Sequence, residues 1–183
     1  MNVADKATLE SWSRSIGLQV RGGDQDGELV VASLDGGPST LLRRAGNEGW
    51  ELVHDRRTTA AALKQAWLAP TDDASPLEVV AALVKRIAST YPLVDAELAT
   101  SGENVRLRFS APIYDEGLSK QTFLLTLSSF RKAVEAYDTA AAARADDLTA
   151  LAEFQAQADA VVRRQQEELS HAAAVQSTNG PTG

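Results

Sequence analysis

No cysteine occurs in the 183 residues, which removes disulfide frameworks, thiolate metal sites and a cysteine nucleophile together. Histidine is nearly as scarce: His54 and His171 are the only two, so imidazole-based metal and acid–base sites have few seats. No stretch approaches the ~18 uninterrupted apolar residues that a membrane-spanning helix requires. The opening MNVADKATLE has neither the basic nor the apolar region of a secretory leader, and a cytoplasmic location is expected. Cations are outnumbered, 18 Lys and Arg against 25 Asp and Glu, for a net charge of −7. That balance repels a polyanion at long range, so nucleic acid is not expected as the main partner. Arginine outnumbers lysine thirteen to five, a usage typical of high-GC bacterial genomes. What is present suffices for a core: 44% of residues are hydrophobic, in a chain suited to one domain of ordinary size.

Residues 5–16 hold Leu9, Trp12 and Ile16 at three- and four-residue steps, followed by Gly17. This is the pattern of an amphipathic helix closed by a left-handed cap. Four β-favouring runs follow at 18–21, 28–34, 40–45 and 50–55, separated by turn-rich spacers at 22–27, 35–38 and 46–49. Spacers this short predict an antiparallel meander, because parallel strands need longer crossovers. Residues 58–68 predict a short helix with Leu63 and Trp67 on one face. A connector through Pro70, Asp72 and Asp73 leads to a second helix, N-capped by Ser75, opened by Pro76 and stopped by Pro92.

Strands 94–99 and 104–110 are expected to pair around a four-residue loop. Val94 then faces Phe109, Ala96 faces Leu107 and Leu98 faces Val105, while Asp95 meets Arg108 and Glu97 meets Arg106 behind them.

From Ser119 the chain reads as helix almost to its end. Phe123, Leu127, Phe130, Val134 and Tyr137 keep a 3–4 spacing, which thins through 140–145 and resumes in the same heptad frame at Leu148, Leu151, Ala158, Val162 and Leu169. Arg144, Gln155 and Gln165 weaken the inward positions, and Asp146-Asp147 allow an N-cap and a hinge at 144–147. Leu127, Val134, Tyr137, Leu148, Leu151 and Val162 are therefore candidates for a helix–helix interface. A stripe longer than a small sheet can cover predicts a homodimer. The expected organisation is one α+β domain over 1–140, a helical extension over 141–175 and a disordered tail over 176–183.

Residues 76–137 resemble the second half of a YbjN-like protein, within the type III secretion chaperone-like fold. The similar features are Ser89-Thr90-Tyr91-Pro92-Leu93 at the end of a helix, the strand Val105-Arg106-Leu107-Arg108-Phe109-Ser110-Ala111-Pro112-Ile113, and Gly117-Leu118-Ser119 before a closing helix. The insertion at 58–75 and the helix beyond residue 140 depart from it. The resemblance implies an α+β fold, an antiparallel sheet packed against helices, here with a long C-terminal helical extension. It implies a small, acidic, non-enzymatic and often dimeric protein. Secretion chaperones among such relatives bind extended segments of client proteins, although fold alone does not carry function over. No catalytic residue and no cofactor comes with it.

His54 and Asp55 could orient a base, but adjacent strand residues point to opposite faces. Asp24-Gln25-Asp26-Gly27 has the start of a calcium loop without its remaining ligands. Gly22-Gly23 and Gly36-Gly37 join strand to strand rather than strand to helix, so neither cradles a phosphate. Arg43, Arg44, Arg56 and Arg57, with His54, make the one local basic patch. A solvated sheet edge, with Arg44 facing Glu51, competes there with a docking site for an acidic partner.

The expected function is a non-enzymatic protein-binding adaptor or chaperone-like protein. A coiled-coil assembly factor acting through its C-terminal helix is the alternative, with a small-ligand sensor behind it.

Overall fold

The computed structural model of the chain describes residues 5–25, 27–33, 39–46, 49–68 and 75–178. Side chains are described through residue 150, except Ser33, and beyond it at Ala152, Glu153, Ala156, Ala160 and Arg163. In chain order the elements are α1 (Lys6–Arg14), β1 (Leu18–Gly22), β2 (Leu29–Ser33), β3 (Thr40–Ala45), β4 (Gly49–Thr59), α2 (Ala60–Trp67), α3 (Pro76–Thr90), β5 (Asp95–Ser101), β6 (Asn104–Tyr114) and α4 (Lys120–Thr178). One antiparallel sheet in the order β1-β2-β3-β4-β6-β5 makes the fold α+β, as expected.

Caps set where the helices begin. The Thr8 N–H donates to the Asp5 carboxylate at 2.8 Å and the Ala62 N–H to the Thr59 hydroxyl at 3.1 Å. Ser75 opens α3 with Pro76 at its first position, and the Ser75 N–H donates to Glu78 at 3.3 Å. Each cap satisfies donors that a helix leaves free. Gly17 takes the positive φ expected of it, but α1 ends at Arg14, so Ile16 falls past the helix and stays exposed.

Burial alternates along β6 from Val105 to Ile113, so one sheet face is apolar. All four described helices pack on that face, α4 as far as Ala141. Leu9 of α1, Trp67 of α2, Val84 of α3 and Phe130 of α4 share one core with Leu42, Leu52 and Phe109. The result is two layers, with a second sheet face on which no described element packs.

Two registers differ from expectation. In the β5–β6 hairpin Ala96 faces Phe109, Leu98 faces Leu107 and Thr100 faces Val105, two residues along from the expected pairs. The cause is a two-residue turn: Gly102 has φ +60° and Glu103 a negative φ, the type II′ pattern whose twist matches that of the strands. A slip of two keeps every side chain on its face. Arg106 and Arg108 then find their acids on β4, as Asp55 and Glu51. Between β3 and β4 it is Arg43, not Arg44, that faces Glu51. This slip of one exchanges the faces of both arginines.

β4 and β6 run further than expected, to Thr59 and Tyr114, and pair along their whole lengths. Pro112 is tolerated because β5 stops opposite Ser110, leaving that side of β6 an edge. α4 is continuous through 144–147, so the hinge expected there is absent, and the boundary expected at residue 140 falls inside the helix. Of the expected tail, 176–178 belong to α4 and 179–183 lie outside the described residues. Ala140 and Ala141 are the last residues of α4 packed on the core. One turn on, Arg144 Nε donates to the Trp67 carbonyl at 3.0 Å, satisfying an acceptor that the end of α2 leaves free.

Candidate functional site

Neighbours on a strand point to opposite faces, and this decides the fate of the arginine patch. Arg44 and Arg56 lie in register with Trp50 and Leu107 on the helix-covered side, while Arg43 and Arg57 lie on the open face. The four residues are therefore divided between two surfaces. Arg43 bonds Glu51 at 2.8 Å, and Arg44 bonds Asp115 at 2.6 Å with its guanidinium 5.5 Å from the Trp50 ring centroid. Arg56 pairs with Asp138 of α4. Arg57 stands opposite Arg106 and has no ion pair among the described residues.

His54 and Asp55 also part company. His54 Nδ1 lies 2.9 Å from the Ser39 carbonyl, and His54 Nε2 accepts from Arg56 Nε at 3.2 Å. A carbonyl only accepts and a guanidinium only donates, so Nδ1 carries the proton and Nε2 is bare. Asp55 points the other way and accepts from Arg106 at 2.7 Å. Burial alone would raise the Asp55 carboxyl, but the Arg106 hydrogen bond and charge, with Arg108 and Arg57 behind them, hold it below its usual value.

The open sheet face is a composed surface. Toward β2–β4 it is apolar: Val30 and Leu41 are half-buried, and Val53 is 4% exposed although it lies outside the main core. Toward β6 it is ionic. Glu51 receives Arg43 at 2.8 Å and Arg108 at 2.6 Å, beside the Asp55–Arg106 pair.

The helix–helix candidates divide as well. Leu127 and Val134 are fully buried and Tyr137 is 6% exposed, all within the protomer's own core, so they offer nothing to a second helix. Tyr137 packs on Trp67 and Phe109, with ring centroids 5.8 and 5.9 Å away, and burial pushes its hydroxyl pKa up. Leu148 is half-buried beyond the core, and the side chains of Leu151 and Val162 lie outside the described residues.

The remaining motifs resolve briefly. Gln25 N–H donates to Glu28 at 3.1 Å in the turn after β1, while Asp26, Gly36, Gly37, Asp72 and Asp73 lie outside the described residues. Among the described residues no three His, Asp or Glu side chains gather as metal ligands. No helix among them is long and apolar enough to cross a membrane. Asp115 and Asp138 carry no local signal as partners of Arg44 and Arg56, since those contacts span most of the domain in sequence.

No family model matches the chain, and no curated protein matches its sequence. Among solved structures it is similar to YbjN, a candidate transcription regulator from E. coli, at 16% identity and a TM-score of 0.49, over 78% of this chain and 95% of that one. It is also similar to an uncharacterized protein from Methanothermobacter thermautotrophicus, at 15% identity and a TM-score of 0.53, over 76% of this chain and 97% of that one. At that identity the likeness to the archaeal protein is one of fold, extending over nearly all of that chain.

Proposed function

We propose that the protein is a non-enzymatic protein-binding adaptor of the YbjN-like, type III secretion chaperone-like kind, acting as a homodimer in the cytoplasm. One observation carries the binding role: a six-stranded sheet with every described helix on one face. The other face presents apolar Val30 and Leu41 beside a two-signed ionic lattice. A broad surface, apolar on one side and ion-paired on the other, suits a protein partner better than a small substrate. Capture from lysate of the native organism tests it. A protein retained by the wild type and lost with Leu41→Lys, the circular dichroism spectrum being unchanged, is the expected result. Equal retention by the two proteins would remove the open face from the proposal.

The dimer rests on a separate observation. Beyond Arg144, α4 carries on to Thr178, about 50 Å of helix at ~1.5 Å per residue. That length also favours the second reading, an assembly factor acting through its C-terminal helix. Light scattering at micromolar concentration decides the oligomer, and a strict monomer would overturn the dimer.

A further inference from the structure

β5 begins at Asp95, opposite Ser110, while β6 runs on to Tyr114. The end of β6 therefore borders a notch where a neighbouring strand would otherwise continue. The notch encloses about 350 Å³. Ile113, 4% exposed, is its floor. Leu93, Pro112 and Tyr114 line it, together with Leu118 and Thr122 at the entry to α4. Pro112 has no N–H, which makes this edge a poor template for a further strand. Recognition here falls to side chains.

Apolar exposure is concentrated at the notch. Among the described residues four large hydrophobic side chains are exposed, Ile16, Leu93, Tyr114 and Leu125. Leu93 and Tyr114 line the notch, at 46% and 65% exposure. Leu125 stands on α4 between Thr122 and Thr126, which also line it. Scattered apolar side chains on a surface need no explanation, but clustered ones mark an interaction site.

The charged residues of the notch are both acids, Asp95 and Glu116. Both are exposed, and neither has an ion pair among the described residues. Such acids favour a partner that brings cations and repel one that brings anions. A second copy does not meet that requirement. Presenting the same notch, it would set acids against acids. Presenting the distal part of α4, residues 146–178, it would bring six acids against two arginines.

We propose that the notch docks a segment of a partner protein in which bulky apolar residues are flanked by lysine or arginine. The apolar side chains seat against Leu93 and Tyr114, and the cations reach Asp95 and Glu116. This site goes beyond the open-face reading and gives the adaptor a second surface. Leu41, on which the open-face test turns, lies on β3, two strands from β6.

The probe is a dye-labelled peptide, Gly-Lys-Leu-Phe-Lys-Gly, read by anisotropy against the full chain. It is expected to bind, and less tightly as salt rises. Gly-Glu-Leu-Phe-Glu-Gly and Gly-Lys-Ser-Ser-Lys-Gly are each expected to bind about tenfold more weakly. Asp95→Asn combined with Glu116→Gln is expected to weaken the lysine–leucine peptide about fivefold, the effect of two exposed ion pairs. Tyr114→Ser is expected to weaken it about tenfold, and Leu93→Ser repeats that test should the first variant unfold. Leu41→Lys is expected to bind it as the wild type does. No binding overturns the site. Equal binding of the glutamate peptide, or of the doubly amidated variant, overturns the role of the acids. Equal binding of the serine peptide overturns the apolar seat. Undiminished binding by folded Tyr114→Ser and Leu93→Ser, or loss with Leu41→Lys, overturns the location. Peptide binding that persists while capture through Leu41 fails removes the open-face reading alone.

Discussion

The Arg56 guanidinium lies over the Tyr137 ring, 5.6 Å from its centroid, and pairs with Asp138, the next residue of α4. One side chain of β4 thus holds two consecutive residues of the long helix, while its Nε is taken by His54. The sheet and α4 are joined here by charge and stacking, at the edge of a core that otherwise joins them by apolar contact.

Removing that side chain has a bounded cost. Arg56 and Asp138 are 42% and 32% exposed, so solvent screens the pair and the stacking counts for as much as the charge. Arg56→Ala is expected to cost about 1 kcal/mol, read as a lower urea midpoint with an unchanged slope. Arg56→Lys keeps the charge but loses the planar fork, and is expected to fall between the two.

The Asp55–Arg106 pair sets a dependence on acid. The folded pKa of Asp55 lies below its ordinary 3.8, so the unfolded chain takes up the proton first. Its contribution is fully present above that value and is lost as the pH falls through the lower folded one. Urea midpoints measured from roughly pH 5 down to pH 2 are expected to fall less steeply for Asp55→Asn than for the wild type. Parallel curves would show that the pair carries none of the acid sensitivity.

Periodicity made the faces of this fold legible before the partners. Ala96, Leu98, Leu107 and Phe109 are read correctly as one face because a strand's period is two, and the two-residue slip of their hairpin leaves that intact. The slip itself was hidden. Charge matching favoured Asp95 with Arg108, whereas Arg108 reaches Glu51 on β4, a strand the hairpin's own sequence says nothing about. The arginine patch failed for the opposite reason. Arg43-Arg44 and Arg56-Arg57 are clusters in sequence, and strand alternation is what separates them. The partners on Asp115 and Asp138 arise only when distant segments pack.

Two glycines that both read as turn residues are expected to respond differently. Gly102 has φ +60°, and a Cβ there meets nothing within 4 Å, so Gly102→Ala costs conformational strain alone, about 1 kcal/mol. Gly49 opens β4, where a Cβ would lie 2.3 Å from the Ile113 carbonyl oxygen. A backbone atom cannot swing aside, so Gly49→Ala must part β4 from β6. It is expected to lower the thermal midpoint clearly more than Gly102→Ala does, and a smaller drop would contradict the close approach.

The long helix divides by what its residues touch. Its core positions end at Ala141, and Arg144 supplies the acceptor-satisfying contact to Trp67 one turn later. A chain ending after Ala145 keeps all of these, so its urea midpoint is expected to match that of the full chain at concentrations where both are monomeric. A chain ending after Ala143 also loses Arg144, leaves the Trp67 carbonyl without that donor, and is expected to be less stable by about 1 kcal/mol. Stability and association separate at this point. If the helix beyond Arg144 joins two copies, the chain ending after Ala145 scatters light as a monomer, and only the full chain's midpoint rises with protein concentration. If it remains a dimer, the contact between copies lies on the body, and the open sheet face becomes the surface to mutate.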